Sequence, residues 1–539
     1  MSLVSLYDAA SLWMTPSGAE DGKLFSELPT DGSGDFTFSR GSNLAATRVG
    51  PTGLIEKGRE NLLLRSNEFD TTWATIDSNV TSSQSGYDGS SNAWELDATT
   101  VGGRLYQSIS FSGVHTFSIY AKKGTANGIR VRLQQTAVAN AYVDLRDGSL
   151  FGSDNAIDID IQDVSNGWYR ITFALNASGV SLILLYPTDG EVSQTTGSIY
   201  IQDAQLEIGL AATDYIESGA TTGKAGLLED EPRLDYSGGA TCPSLLLEPS
   251  RTNVIAQSEY FGAWSKIGSP TITSNYGTSP EGLQNSTRIE AVDGDRIYIG
   301  ISGSSATYTY SIYAKGSGDI KLRDNSGSYN LSISLTSNWQ RYDYSFTASF
   351  TNIQIEIDST TDAEIWGAQV ELGSYPTSYI PNHSGGSVTR GDDSFQNDIN
   401  TSPLGAAGQG TWFVELQKLG DDKNQALYLA PTTNNTQQIR LHFDATNARF
   451  RDAINGYATI GGGLNIKTSM TKMALSIDTT LGVAKVYTNG SQLGSDYTLQ
   501  ANTFEFSRIV AEGKGFVLKQ SLFFPTALSD AECIKLTTL

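Results

Sequence analysis

The chain has 539 residues, a length that suggests about three or four domains rather than one. Only 17% of the residues are charged, and 55 are glycine, which is typical of sheets and tight turns and predicts an all-β fold with very little helix. The formal net charge of −22 disfavours binding to nucleic acid or to an anionic membrane surface.

The two cysteines, Cys242 and Cys533, lie far apart and predict neither a disulfide framework nor a metal site. The N-terminus has no basic residue before its first apolar residues, and Asp8 interrupts them, so we expect no signal peptide. No uninterrupted apolar run is long enough to predict a membrane span. We therefore expect synthesis in a cytoplasm without a signal peptide.

Residues 1–60 are predicted to form a short N-terminal β module or attachment segment. Phe36–Ser39 alternates as a strand does, and Thr47–Val49 with Leu54 and Ile55 predicts a hairpin. The segment has few apolar residues for a core of its own. We therefore expect it to pack on its neighbour or on another protein.

Residues 61–218 and 251–385 are predicted to be two copies of one sandwich. Four blocks match in the same order: 61–73 with 253–264, 117–124 with 310–317, 165–175 with 336–346, and 200–209 with 364–373. The second copy is shorter, mainly between its second and third blocks, which predicts a surface hairpin there in the first copy. Collinear matches indicate duplication, because chance matches would not keep their order.

The last block is the closing strand of each copy and is followed by an exit turn. In the second copy, alternation places Ala368, Val370 and Leu372 on one face and the polar Gln369 and Glu371 on the other. The pattern predicts a half-buried strand. A glycine then ends the strand, and a Tyr-Ile pair anchors the chain again.

Two connectors are predicted, residues 219–250 and 386–400. The first contains Leu245–Leu247, which is too apolar to lie in water, so we expect this connector to pair with a sheet or to cover a domain junction. Residues 401–539 contain short alternating strands with turn signals such as Asn489-Gly490, which predict a further sandwich. Ser529 and Glu532 are spaced as a capping box and predict one helix at the end of the chain.

Three runs carry a resemblance to bacteriophage structural proteins, namely residues Gly22–Glu56, Arg233–Trp264 and Gly367–Pro381. They resemble a signature of tail-fibre and other virion-surface proteins. The two copies are similar to carbohydrate-binding-module jelly rolls, and residues 401–539 look like a laminin-G or concanavalin-A-like sandwich. The resemblance implies tandem sandwiches on a virion, contacts with other virion proteins, host-surface polysaccharide as ligand and, by analogy with phage fibres, a homotrimer.

The same resemblance implies a calcium ion between the opening and closing strands of a jelly roll. In the first copy Glu68 or Asp70 with Asp203 would supply the oxygens, so these are the candidate calcium ligands. In the second copy Glu259 is taken as the counterpart of Glu68, and Gly367 replaces Asp203. That substitution weakens the site in the second copy.

Little else in the sequence predicts chemistry. His115, His383 and His442 stand alone and are interpreted as structural, and no nucleophile, phosphate-loop or zinc-protease motif is present. The carboxylates Asp158, Asp160 and Asp163 alternate as on a solvated edge strand, so a glycosidase pair is not expected. No catalytic residue and no cofactor are predicted.

Sugar binding requires aromatic faces and polar partners, and Trp94, Tyr106, Tyr120 and Tyr313 are available. The pairs present in both copies (Trp73/Trp264, Tyr120/Tyr313, Trp168/Trp339) are assigned to the core, since positions kept by both copies are those the fold needs. A glycan site is expected where the copies differ. The leading hypothesis is a non-enzymatic virion fibre protein that binds host glycan, and the alternative is a capsid or tail decoration protein with a purely structural role.

Overall fold

The computed structural model describes residues 3–41, 44–325, 330–398, 408–420, 425–430, 438–444, 447–452, 458–466, 469–499, 508–512 and 515–538. The protein is all-β, as predicted, and its strands form antiparallel sheets. The described helices are Leu3–Tyr7 and Asp530–Thr537, with short 3-10 turns at Ser237–Gly239 and Phe261–Ala263. The predicted capping box is confirmed, because Ser529 N–H donates to Glu532 Oε2 at 3.1 Å.

One sandwich, termed the terminal sandwich, is assembled from distant parts of the chain. Its first sheet contains Arg233–Asp235, Ser244–Leu247, Phe516–Phe524, Gln409–Lys418, Thr471–Asp478, Val483–Thr488 and Ser491–Gln492 in that order, with Leu12–Met14 beside Phe516–Phe524 and Tyr497–Thr498 beside Val483–Thr488. Its second sheet contains Ala19–Glu20, Lys23–Leu24, Phe36–Ser39, Ser394–Asp398, Arg508–Glu512, Gln425–Ala430, Ile439–Phe443, Asn447–Asp452 and Ala458–Asn465. A single apolar core fills the space between the two sheets.

The first forty residues therefore belong to the terminal sandwich and are not a separate module. Leu12 pairs with Phe523, Phe38 pairs with Phe395, and Leu12 and Phe38 are buried in the terminal core. The segment has too few apolar residues to fold alone, so it completes a core to which the end of the chain supplies most residues. Both predicted connectors also contribute strands to this sandwich, and Leu245–Leu247 pair with Phe516–Leu518 as expected for the first one. The predicted boundary between residues 400 and 401 lies outside the described residues.

The first copy, termed repeat one, is built around two long bent strands, Arg104–Lys123 and Trp168–Thr188. Its sheet order is Leu150–Asp154, Ala139–Asp144, Gly128–Gln134, Trp168–Thr188, Arg104–Lys123, Gly197–Ile208, Ala93–Ala98 and Ser78–Gln84, with Asp158–Asp163 beside Trp168–Thr188 and Ala74–Ile76 beside Arg104–Lys123. Bulges between Ser108 and Gly113 bend the first long strand, so that it serves both layers of the sandwich.

The second copy, termed repeat two, has the same plan with Arg296–Ser317 and Gln340–Ile357 as its long strands. Its sheet order is Thr271–Thr273, Thr287–Ala291, Thr361–Leu372, Arg296–Ser317, Gln340–Ile357, Asp319–Asp324 and Asn330–Ser334, with Ser265–Ile267 beside Arg296–Ser317. Among its described residues, 251–325 and 330–385, no strand corresponds to Leu150–Asp154 or Asp158–Asp163, and this places the extra hairpin of repeat one where the sequence predicted it. Asp158–Asp163 pairs on one side only within the described sheet, as expected for an edge strand.

Each repeat is closed by a two-stranded clasp. Arg59–Asn61 pairs with Gly223–Ala225 around repeat one, and Arg251–Asn253 pairs with Val388–Arg390 around repeat two. A third small sheet, the hairpin Thr47–Val49 and Ile55–Lys57, lies before the first clasp. Both repeats are therefore insertions into the terminal sandwich, and each leaves and rejoins it at one place.

Candidate functional site

The exit turn of repeat two is held by buried polar side chains. Gln369 and Glu371 are fully buried, whereas Leu372 is 54% exposed, so the predicted half-buried strand is wrong at these positions. The polar face is covered because the exit turn folds back over it: Thr377 N–H donates to Glu371 Oε1 at 2.8 Å, and Ile380 N–H donates to Gln369 Oε1 at 2.7 Å. Burial raises the pKa of Glu371, and the hydrogen bonds that Thr377 and Gln369 donate to its carboxylate oppose that rise.

Repeat one contains the same network. Thr213 N–H donates to Glu207 Oε2 at 2.9 Å, and Ile216 N–H donates to Gln205 Oε1 at 2.6 Å. The Gln-x-Glu pattern of the closing strand therefore fixes the turn in both copies and is part of the scaffold. In repeat two, this fixed turn forms one wall of a cleft.

Five buried charged side chains, termed the ionic cluster, join repeat two to the terminal sandwich: Arg40, Arg233, Glu248, Arg390 and Asp393. Glu248 Oε2 lies 2.6 Å from Arg233 Nη1 and 2.8 Å from Arg390 Nη1. Asp393 pairs with Arg233 and accepts from Arg40 Nη1 at 3.1 Å. Burial alone would raise the pKa of Glu248, but Arg390 and Arg233 lower it to about 2. Glu248 is thus ionised between its two arginines, and the cluster fixes the junction.

The junction contains a cleft of about 640 Å³. Its walls are the exit turn of repeat two, the hairpin before repeat one, the loop after Arg233–Asp235 and two strands of the terminal sandwich. The lining combines aromatic and aliphatic surface with polar groups: Val49, Asp235, Ser244, Tyr313, Arg341, Tyr375, Thr377, Gln417, Val517 and Lys519. Concave sites between domains with this mixture are typical of small-ligand sites.

The carboxylates of this cleft already have partners. Asp235 accepts from the Val49 and Ser237 backbone N–H groups at 2.9 and 3.1 Å. Glu248 belongs to the ionic cluster and also accepts from Ser378 N–H at 2.8 Å. Both are structural acceptors, and with its pKa near 2 Glu248 is no general acid at neutral pH.

The two cysteines differ sharply in access. Cys242 is exposed and lines the cleft, whereas Cys533 is fully buried under the C-terminal helix. Burial raises the pKa of Cys533 to about 12, which keeps it as an unreactive thiol. A thiol reagent will therefore modify the cleft selectively.

The predicted calcium ligands have other partners. Glu68 pairs with Arg65 at 2.9 Å, Asp70 accepts from Thr71 Oγ1 at 3.2 Å, and Asp203 accepts from the Tyr87 hydroxyl at 2.9 Å. Within the described part of the chain, no three acidic, histidine or cysteine side chains form a group that could hold a metal. Glu68, Asp70 and Asp203 are therefore not brought together in one such group.

The structure also corrects the alignment of the copies. Asn61 and Asn253 make matching bonds to the closing strands, to Ala204 O and Ala368 O, both at 3.2 Å. Counting from these two, Glu259 is the counterpart of Asn67 and not of Glu68. Glu259 is fully buried and accepts from the Tyr379 hydroxyl at 2.9 Å.

The aromatic pairs assigned to the core divide into two groups. Trp73, Trp264 and Trp168 are buried, as is Trp94. Tyr106, Tyr120, Tyr313 and Trp339 are half-buried. In repeat two, Tyr313 and Trp339 surround Ile55 of the hairpin together with Trp366 and Tyr379.

The histidines lie at internal contacts. His115 and His383 are buried where the repeats meet, and Val114 N–H donates to His383 O at 3.0 Å. Burial lowers the pKa of His115 to about 4, so it is neutral at physiological pH. His383 Nε2 lies 3.3 Å from Glu259 Oε1, and His442 is on a terminal-sandwich strand.

The sequence reasoning missed the ionic cluster and the cleft. A signal was present, because Arg233 and Glu248 flank apolar strands that had to be buried. The missing information was which distant strands they join.

No helix among the described residues is long and apolar enough to cross a bilayer.

No protein-family model and no curated protein sequence matches the chain. Among solved structures, it is similar to the CBM40 module of a Ruminococcus gnavus sialidase bound to α2,3-sialyllactose, with 15% identity over 25% of this chain and 84% of that one and a TM-score of 0.21. The tandem CBM51 modules of a family 98 glycoside hydrolase from Streptococcus pneumoniae align with 10% identity over 62% and 99% of the two chains, with a TM-score of 0.18. A CBM29-2 mutant aligns with 15% identity over 22% and 90%, with a TM-score of 0.17. Similarities of this size carry no argument about a ligand.

Proposed function

We propose that this chain is a non-enzymatic glycan-binding protein of the exterior of a phage virion, and that saccharide binds in the cleft between repeat two and the terminal sandwich. The observation that carries the proposal is the composition of the cleft wall. Aromatic rings and hydroxyl, amide and guanidinium groups converge there on a space of about 640 Å³. A sugar ring offers the complementary surface, an apolar face with hydroxyls around its edge.

The polar groups of the cleft are held in fixed positions. Arg341 stacks on the Tyr313 ring at 5.5 Å and donates to Thr377 O at 2.7 Å. Tyr375 packs beside Arg251, whose guanidinium lies 5.7 Å from the ring centre. A prearranged site loses little conformational entropy on binding, which favours recognition of a weakly bound ligand such as a sugar.

The partners of the carboxylates favour binding over hydrolysis. Glycoside hydrolysis needs a proton-donating carboxyl opposite a second free carboxylate. In this cleft Asp235 holds a turn and Glu248 holds two arginines. We therefore propose that the cleft retains a glycan without cleaving it.

The placement on a virion rests on the sequence runs that resemble phage fibre proteins. The acidic chain and its inserted repeats suit an exposed particle surface, where many weak sites act together. The laminin-G-like identity of the terminal sandwich and a trimeric assembly remain predictions. The second candidate, a decoration protein, is favoured by one observation: Leu150 and Phe151 of the extra hairpin are 44% and 48% exposed and offer an apolar contact to another subunit.

The exposed Cys242 provides a direct test. The full chain is applied to an array of bacterial surface glycans before and after alkylation with a bulky maleimide. Since Cys533 is buried, only the cleft is blocked, and we expect binding to be lost. The Cys242→Ser variant treated in the same way is the matched control and should keep binding. An unmodified chain that binds no glycan, or an alkylated chain that binds as before, contradicts the proposal.

A further inference from the structure

In repeat one, the side chain of Tyr87 makes two contacts that a bound sugar could also make. The Tyr87 ring lies nearly parallel to the Tyr120 ring, with centroids 3.7 Å apart and an interplanar angle of 7°. The Tyr87 hydroxyl donates to Asp203 Oδ2 at 2.9 Å. We propose that this is a second saccharide site, in which Tyr87 occupies the place of the ligand and is displaced by it. The proposal does not depend on the cleft.

Tyr87 reproduces the two contacts that a pyranose makes with a protein. An aromatic face receives the apolar face of the ring, and a buried carboxylate accepts from a hydroxyl at the ring edge. Burial and the nearby Asp203 raise the pKa of Tyr87, so its hydroxyl remains a donor. A sugar hydroxyl placed over Tyr120 would restore the same bond to Asp203 after Tyr87 has left.

In repeat two, the place that corresponds to the Tyr87 ring is filled by a packed side chain. The counterpart of Tyr120 is Tyr313, and the counterpart of Asp203 is Gly367. The pocket there is filled by Ile55, whose N–H donates to Pro280 O at 2.9 Å. Packing an apolar side chain into this place requires no carboxylate.

Asp203 costs folding free energy in two ways. It is only 6% exposed, so its carboxylate is largely removed from water. Its φ of +54° lies in the left-handed region, where repeat two has a glycine at +67°. A residue that is both strained and poorly solvated, at a position where the other copy has a glycine, points to a role outside the fold.

Tyr87 lies where it can move. It belongs to the turn between Ser78–Gln84 and Ala93–Ala98, and its neighbours Asp88 and Gly89 are exposed. Tyr87 is half-buried, and besides Tyr120 its ring has Trp168 as an edge-on neighbour, with centroids 6.3 Å apart. Rotation of this one side chain would expose the Tyr120 face and Asp203 together.

The charges around the site select the class of sugar. Asp88 and Glu217 act on Asp203 and add to its negative potential, and these three carboxylates outnumber the one guanidinium beside them, that of Arg170, which lies 5.5 Å from the Tyr120 ring centre. A carboxylate- or sulfate-bearing saccharide would be repelled, whereas a neutral hexose or N-acetylhexosamine supplies the hydroxyl donor without that cost. The ligand is therefore a neutral saccharide.

The test uses the full chain with Cys242 alkylated, so that the cleft is blocked and only this site is measured. Methyl glycosides of glucose, galactose, mannose and N-acetylglucosamine are titrated by saturation-transfer NMR, with glucuronic acid as the acidic probe. Tyr87→Ala should bind at least one neutral glycoside about tenfold more tightly than the parent, because the internal competitor is gone. Adding Asp203→Gly, which gives repeat one the residue that repeat two has at this place and removes the acceptor, should abolish the gain, and glucuronic acid should not bind.

Tyr87→Phe keeps the ring and removes only the donor, so a smaller gain is expected, and this variant decides the question if Tyr87→Ala does not fold. The proposal is overturned if no neutral glycoside binds the folded variant more tightly than the parent, or if the gain survives Asp203→Gly. Either result leaves the cleft proposal standing, because that one is decided by alkylation of Cys242.

Discussion

Replacing Asp203 by asparagine should stabilise the protein at neutral pH. The pKa of Asp203 is raised from the ordinary 3.8 to about 6, mainly by burial. The folded state thus binds the proton more tightly than the unfolded state, and stability falls as the pH rises from about 4 to about 6. Above about pH 6 the loss of stability caused by ionising this buried carboxylate no longer changes with pH. Asparagine removes the charge, still accepts from Tyr87 and tolerates a positive φ.

The difference between the folded-state pKa of about 6 and the ordinary pKa of 3.8 corresponds to about 3 kcal/mol in the free energy of unfolding at pH 7.5. For a domain of the size of repeat one, this is a rise of about 6 to 12 °C in its thermal midpoint. At pH 4.5 most of the folded-state carboxyl is already protonated, so the gain from Asp203→Asn should fall to about a third.

The assay is calorimetric unfolding of parent and variant at both pH values. Asp147→Asn is the matched control: Asp147 is exposed, and the Ser149 hydrogen bonds lower its pKa, so its loss should not stabilise the fold. A variant no more stable than the parent at pH 7.5, or equally stabilised at both pH values, would refute the reasoning. Added Ca²⁺ that raises the midpoint of the parent but not of Asp203→Asn would support the calcium prediction for Glu68, Asp70 and Asp203.

Other variants test the scaffold. Ile55→Ala should cost about 2 to 4 kcal/mol in thermal unfolding by opening the aromatic pocket of repeat two, whereas Leu54→Ala, 41% exposed, should change little; equal effects would contradict the packing. Glu371→Ala should cost about 2 to 4 kcal/mol in urea unfolding, because buried donors of the exit turn lose their acceptor, and a cost below about 1 kcal/mol would contradict the network. Arg233→Met should cost about 3 to 5 kcal/mol by leaving Glu248 and other buried charges unbalanced, and an unchanged midpoint would count against the cluster. Deleting residues 1–41 should leave the terminal sandwich unable to fold, as judged by proteolysis, and a protease-resistant product would contradict its composite core.

Local patterns in the sequence were sufficient for much of the fold. Alternation in Phe36–Ser39 and the Ser529 capping box are properties of a few neighbouring residues, and the structure contains both. The pairing of Leu12 with Phe523 is different, because it depends on a partner more than five hundred positions away and leaves no local signal. Polarity was misleading at Gln369 and Glu371, since a polar side chain is expected in water unless the chain folds back to cover it.

The duplication supplies an internal comparison that a single domain cannot offer. Both repeats keep the Gln-x-Glu network, so the closing strand and exit turn are explained by folding alone. At the positions of Asp203 and Gly367 the same backbone bulge has been kept while the side chain differs. The carboxylate is in repeat one, whereas Ile55 packs into the corresponding place in repeat two. A folding role would favour the glycine in both copies, because it avoids the strain and the desolvation. We therefore propose a binding role for the Tyr120 face of repeat one, whereas the corresponding face of repeat two is packed against Ile55.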